Sequence, residues 1–146
     1  MAFWQCEYAL VPKSVVTETN ISLVVNDFAP SNDSDLSTSG ITYWQESPMT
    51  IMNTSVVEKV LPRLESWSDR AWMFGTKGFD EVEIWENMIF FRINARQINL
   101  KVIELLVSLA KSLNCVLISK WTKAVLDPEV KCVLSDIEAS HGAMPQ

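Results

Sequence analysis

The sequence predicts an α+β fold, a mostly antiparallel sheet with about three helices packed on one face. Three observations carry this reading. Residues 81–84, and 89–93 around Phe91, alternate apolar and polar side chains at period two, as strands with one wet face do. Segments 99–114 and 128–138 repeat their apolar residues at helical spacing, the second behind a recognisable start signal. The order strands, helix, strands, helix, strand, helix suits helices segregated to one side of a sheet.

Residues 8–11 and 15–17 read as short strands separated by Pro12, and 21–25 as a β-rich strand. Residues 26–40 collect Asp27, Pro30, Asn32, Asp33, Ser34, Asp35 and Ser37, a loop composition. The loop is long for a plain connection, which makes it either mobile or functional. A strand follows at 41–45. Ser55 and Glu58 have capping-box spacing, and Val57, Val60, Leu61 and Leu64 continue at helical spacing. A helix over 55–65 is therefore expected, kinked or divided by Pro62.

Residues 71–74 read as a strand and Gly75 to Gly78 as a turn. Residues 81–84 and 89–93 read as paired strands interrupted at Glu86 and Asn87. Residues 99–113 form the clearest helix, with Val102, Leu105, Leu106, Leu109 and Leu113 in one stripe. Asn114 is suited to the left-handed position that closes it. A buried strand at 115–118 and a short strand at 123–126 come next. Asp127, Pro128 and Glu129 then supply an N-cap, a first-turn proline and an early acid for a helix to 138. Val130, Val133, Leu134 and Ile137 make its inner stripe. Residues 141–146 are expected to fray. With 146 residues and no internal repeat, 1–146 reads as a single domain.

Twelve basic and eighteen acidic residues give a net charge of −6. That balance opposes nucleic-acid backbones and anionic membranes, which need clustered cations, and favours a basic partner. The apolar fraction of 48% is that of a globular domain. The six tryptophans should lie mostly in the core or an interface. Cys6, Cys115 and Cys132 are odd in number and form no CxxC pair, which suggests reduced thiols and a reducing compartment. Cys115 and Cys132 are expected to be buried, with at most Cys6 reactive. There is no leader-like N-terminus and no apolar run near 18 residues. A cytoplasmic location is the expectation.

Little in the sequence suggests catalysis. His141 is the single histidine and lies near the C-terminal end, so neither a nucleophile–histidine dyad nor a zinc site is expected. The four glycines form no phosphate loop. No cofactor or metal is therefore expected. Glu81 and Glu83 share a strand face, about 7 Å apart by strand geometry. They could act as an acid–base pair or hold a cation. A solvated strand face is the simpler reading, and an acidic protein-binding patch including Asp80 and Glu86 comes next. Asp27, Asp33 and Asp35 lack the spacing of a calcium loop. Trp67, Trp72, Phe74, Phe79 and Trp85 lie among Asp69, Arg70, Lys77 and Asp80, as a core-edge cluster or a binding hot spot would. The partner-binding candidates are thus Asp80, Glu81, Glu83 and Glu86, then Asp33 and Asp35, with Trp72 and Trp85 as possible anchors.

Several second-half segments can be taken together: Trp72-Met-Phe-Gly75, Val82-Glu-Ile84, Phe91-Arg92-Ile93, the helix before Asn114-Cys115, and Asp127-Pro128 through Ile137-Glu-Ala-Ser140. From Trp67 onward, about half the chain resembles small bacterial immunity proteins that protect cells against polymorphic or contact-dependent growth-inhibition toxins. The resemblance implies a cytoplasmic, non-enzymatic protein in a tight one-to-one complex with a toxin domain, such as a basic nuclease. It assigns no individual contact residue. A small adaptor or chaperone-like module is the alternative, followed by a carboxylate enzyme using Glu81 and Glu83.

Overall fold

The computed structural model describes residues 5–13, 53–65, 71–85 and 89–143. Among them seven strands form one sheet: β1 (Gln5–Pro12), β2 (Arg63–Leu64), β3 (Ala71–Gly75), β4 (Glu81–Trp85), β5 (Ile89–Asn94), β6 (Cys115–Ser119) and β7 (Val125–Leu126). Three helices accompany it: α1 (Asn53–Glu58), α2 (Leu100–Ser112) and α3 (Val130–Ala143). The strand order is β2-β3-β4-β5-β1-β6-β7, and every neighbouring pair is antiparallel. The α+β architecture is the one that the alternation and helical stripes predict. Expected segments at 15–17, 21–25, 26–40 and 41–45, and Trp67, lie outside the described residues.

β1 is an interior strand, between β5 and β6. It is buried along its whole length, which explains its apolar run at 8–11 without alternation. Among the described residues both edges of the sheet are two-residue strands. The register puts Cys6, Tyr8 and Leu10 on one face with Phe91 and Ile93. α3 lies on that face, where the Tyr8 hydroxyl donates to Asp136 Oδ2 at 2.7 Å, and α2 packs beside α3. Gln5, Glu7, Ala9 and Val11 occupy the opposite face with Phe90, Arg92 and Asn94. That face is also withdrawn from water: Glu7 is 1% exposed and Phe90 2%.

The helix expected over 55–65 is shorter. α1 ends at Glu58, Leu61 N–H bonds Val57 O at 2.9 Å, and after Pro62 the chain extends into β2. Proline has no N–H to continue the ladder, and here it ends the helix rather than kinking it. Ser55 lies inside α1, so it is not the cap that its spacing to Glu58 suggests. α2 matches its sequence signals. Asn99 caps it by accepting from Lys101 N–H at 3.0 Å, and Asn114 adopts φ +55° beyond its end. α3 starts two residues later than Asp127 and Pro128 suggest, because Val133 N–H finds Glu129 O at 3.1 Å. It runs on to Ala143, so residues 141–143 are helical, not frayed.

The β3–β4 turn depends on Gly75. Its φ is +106°, and a Cβ there would stand 2.0 Å from the Asp80 carbonyl oxygen. Both backbone strain and a clash with main chain therefore oppose any side chain. Gly75→Ala is expected to lower stability by about 2 kcal/mol or more, measured as the shift of the urea midpoint. An unchanged midpoint would show that the turn tolerates a Cβ.

Candidate functional site

The acidic cluster on β4 is built into the sheet. Glu81 and Glu83 share a face, as their spacing predicts, but Glu83 is only 8% exposed. Its Oε2 accepts from Arg92 Nη1. Arg92 Nε donates to Glu7 Oε1 at 2.8 Å, and Glu7 Oε2 lies 3.2 Å from Lys120 Nζ. Lys120, Glu7, Arg92 and Glu83 thus form a chain of alternating charge across the end of β6, then β1, β5 and β4. Burial acts to lower the Arg92 pKa, but Glu83 and then Glu7 outweigh it and hold the guanidinium's pKa above its ordinary value. The expectation of a solvated Glu83 is therefore corrected. As a partner contact or catalytic base, Glu83 would have to leave Arg92.

Asp80 and Glu81 brace the turn between β3 and β4. Asp80 Oδ1 accepts from Asn94 N–H at 2.8 Å. Burial raises the Asp80 pKa, against the opposing effect of that hydrogen bond. Glu81 Oε2 accepts from Gln5 Nε2 at 2.8 Å and from Gly78 N–H at 3.2 Å, while Gln5 Nε2 also donates to Phe79 O at 2.7 Å. Both carboxylates are half-buried. Trp72 lies on the other face, in register with Ile84. It packs against the core with the Arg63 guanidinium 4.0 Å from its ring centroid. The structure thus separates Trp72 from the β4 acids and makes it a core-edge aromatic. Phe74 is fully buried, whereas Phe79 at 51% exposure is available as an anchor. Trp85 closes β4 opposite Ala71. Glu86, Asp33 and Asp35 lie outside the described residues.

Glu7, Arg92 and Lys120 escape sequence reasoning, although each carries a signal. All three are charges set within or against apolar strand residues, and a charge that cannot avoid burial needs a partner. A second polar cluster fastens α3. The buried Asp136 accepts from Tyr8 at 2.7 Å, from the Thr122 hydroxyl at 2.5 Å and from the Ser140 hydroxyl at 3.5 Å. It joins the helix to β1 and to the β6–β7 turn.

All three cysteines are free. Cys6 and Cys115 are fully buried, and burial pushes both thiols up to about 12. Cys132 is half-exposed, with its Sγ 3.5 Å from Glu129 Oε2. This reverses the expectation that Cys132 is buried and Cys6 reactive. A thiol reagent should modify one cysteine in the native protein, slowly because desolvation, and then Glu129, disfavours the Cys132 thiolate. Cys132→Ser should abolish the reaction. Modification of Cys6 or Cys115 before unfolding would contradict their burial.

Residues 14–50 hold five acids and no base. Among the described residues no group of three or more His, Cys, Asp or Glu side chains is placed to hold a metal ion. No helix among them is long and apolar enough to cross a membrane. No family model matches the chain, and no curated protein or solved structure matches it.

Proposed function

We propose that this chain is a non-enzymatic protein-binding domain of the immunity type, which binds and neutralises a bacterial toxin domain with a basic contact surface, a nuclease fitting best. The observation that carries the reading is the segregation of charge. Residues 14–50 carry five acids, Asp33 and Asp35 among them, and no base, while basic and acidic side chains intermix along the rest of the sequence. A nuclease is cationic where it meets nucleic acid, so an anionic inhibitor gains association rate from opposite charge. Phe79 supplies an exposed aromatic of the kind that anchors interfaces. The internal pairing of Glu83 shifts the expected contacts from β4 toward Asp33 and Asp35.

The test co-expresses the chain with the product of the adjacent reading frame and measures association at two salt concentrations. A one-to-one complex is expected, with association slowing as salt rises and slowing about tenfold in the Asp33→Lys, Asp35→Lys double variant. Salt-independent binding would remove the electrostatic reading. Turnover of a small substrate with no complex formed would remove the binding reading altogether.

A further inference from the structure

Most strands carry their register in their own pattern. A one-residue slip exchanges the two faces, and a strand with one wet face cannot tolerate that. β1 lacks this protection. Tyr8 and Leu10 on one side and Ala9 and Val11 on the other are all fully buried apolar core residues. No tight turn sets its alignment either, since Glu7 and its β5 partner Arg92 are 85 residues apart. Beside the hydrogen bonds of Gln5 and Tyr8, what distinguishes the two faces of β1 is the charge of Glu7. It stands opposite Arg92 in the β1–β5 register, reaches Lys120 beyond β6, and is linked through Arg92 to Glu83 on β4.

We propose that the buried chain Lys120–Glu7–Arg92–Glu83 is a register lock, which specifies how β4, β5, β1 and β6 align and adds little net stability. A one-residue slip of β1 would carry Glu7 to the face covered by α3 and leave Arg92 and Lys120 short of counter-charge. A two-residue slip would keep the face but set Glu7 opposite Phe90 or Asn94 instead of Arg92. Either way a buried charge loses its partner, which is far more costly than misplacing an apolar residue of similar size. Buried ion pairs roughly break even against well-packed apolar replacements, and setting register is the best-attested use of such groups. Gln5 and Tyr8 also make register-dependent hydrogen bonds. Both residues are kept in the variants below, so the test isolates the charges.

The experiment compares two variants of the full chain by amide and cross-strand NMR. The apolar variant carries Glu7→Leu, Glu83→Leu, Arg92→Met and Lys120→Met. The sign-reversed variant carries Glu7→Lys, Glu83→Lys, Arg92→Glu and Lys120→Glu. The apolar variant is expected to keep its sheet but show more than one set of β1 amide resonances. The sign-reversed variant is expected to show one set, with the native Tyr8–Phe91 and Ala9–Phe90 pairings. One native set in the apolar variant overturns the proposal. Should the apolar variant give no dispersed spectrum, the sign-reversed variant decides alone. A single native register then supports the lock, and several registers or no dispersed spectrum overturn it.

Discussion

Glu7→Ala is expected to lower stability by about 3–5 kcal/mol, the range for breaking a buried ion pair from one side. The side chain is 1% exposed and serves two cations, Arg92 at 2.8 Å and Lys120 at 3.2 Å. Removing it leaves a Lys120 ammonium that is 4% exposed without this carboxylate, and halves the acidic company of Arg92. Most of the loss is the cost of stranded charge rather than a measure of what the pair contributes, which is why the fourfold apolar replacement is expected to cost far less. For a chain of this size the change corresponds to a fall in Tm of roughly 10 °C or more. The surface contrast is Lys131 with Glu129, 3.9 Å apart with Lys131 83% exposed, where removal should change stability by less than about 0.5 kcal/mol. Urea denaturation of Glu7→Ala beside Lys131→Ala checks both. A cost below about 1 kcal/mol for Glu7→Ala would mean that solvent reaches the network.

Local signals were legible wherever one face of an element differs from the other. α2 could be read because its apolar stripe is backed by exposed Lys101, Glu104 and Lys111, and because Asn114 tolerates the left-handed backbone that ends it. β4 could be read because its residues alternate, and β5 because apolar residues alternate around Phe91. β1 is legible only in part, since burial of both faces erases alternation, and the strand begins at Gln5, three residues before its apolar run, and ends at Pro12. Spacing also placed Glu81 and Glu83 on one face correctly. It could not show that this face is buried, because period two gives parity and says nothing of what lies above it. The partners that decide the role of Glu83 come from β5, β1 and the residue after β6, and pairing over such distances leaves no mark in a local pattern. Cys132 was misjudged for a related reason. A helical stripe tells which residues point inward, and Cys132 sits at the border between Val130 and Val133, where a small error in phase changes burial.

Alkaline pH should unfold this protein by drawing on its buried acids. Cys6 and Cys115 have folded pKa values of about 12 against an ordinary 9.0, chiefly because burial penalises the thiolate. The unfolded chain therefore releases these protons near pH 9 while the folded chain retains them to about pH 12. Between those limits the folded state binds more protons, so stability falls as pH rises. The stabilisation is fully present below pH 9, and each thiol contributes a slope of up to about 1.4 kcal/mol per pH unit above it. Tyr8 acts in the same direction above pH 10. Its phenol is pushed well above the ordinary value, first by burial and then by Cys6 and Asp136. Together the two thiols alone amount to several kcal/mol by pH 12, on the order of the whole stability of a small domain. The unfolding free energy measured by urea should hold steady from pH 7 to 8.5 and fall progressively above pH 9. The Cys6→Ala, Cys115→Ala double variant should begin from a lower value yet fall less steeply. A wild-type curve that stays level to pH 11, or a double variant with an unaltered slope, would show that the buried thiols do not set the alkaline limit.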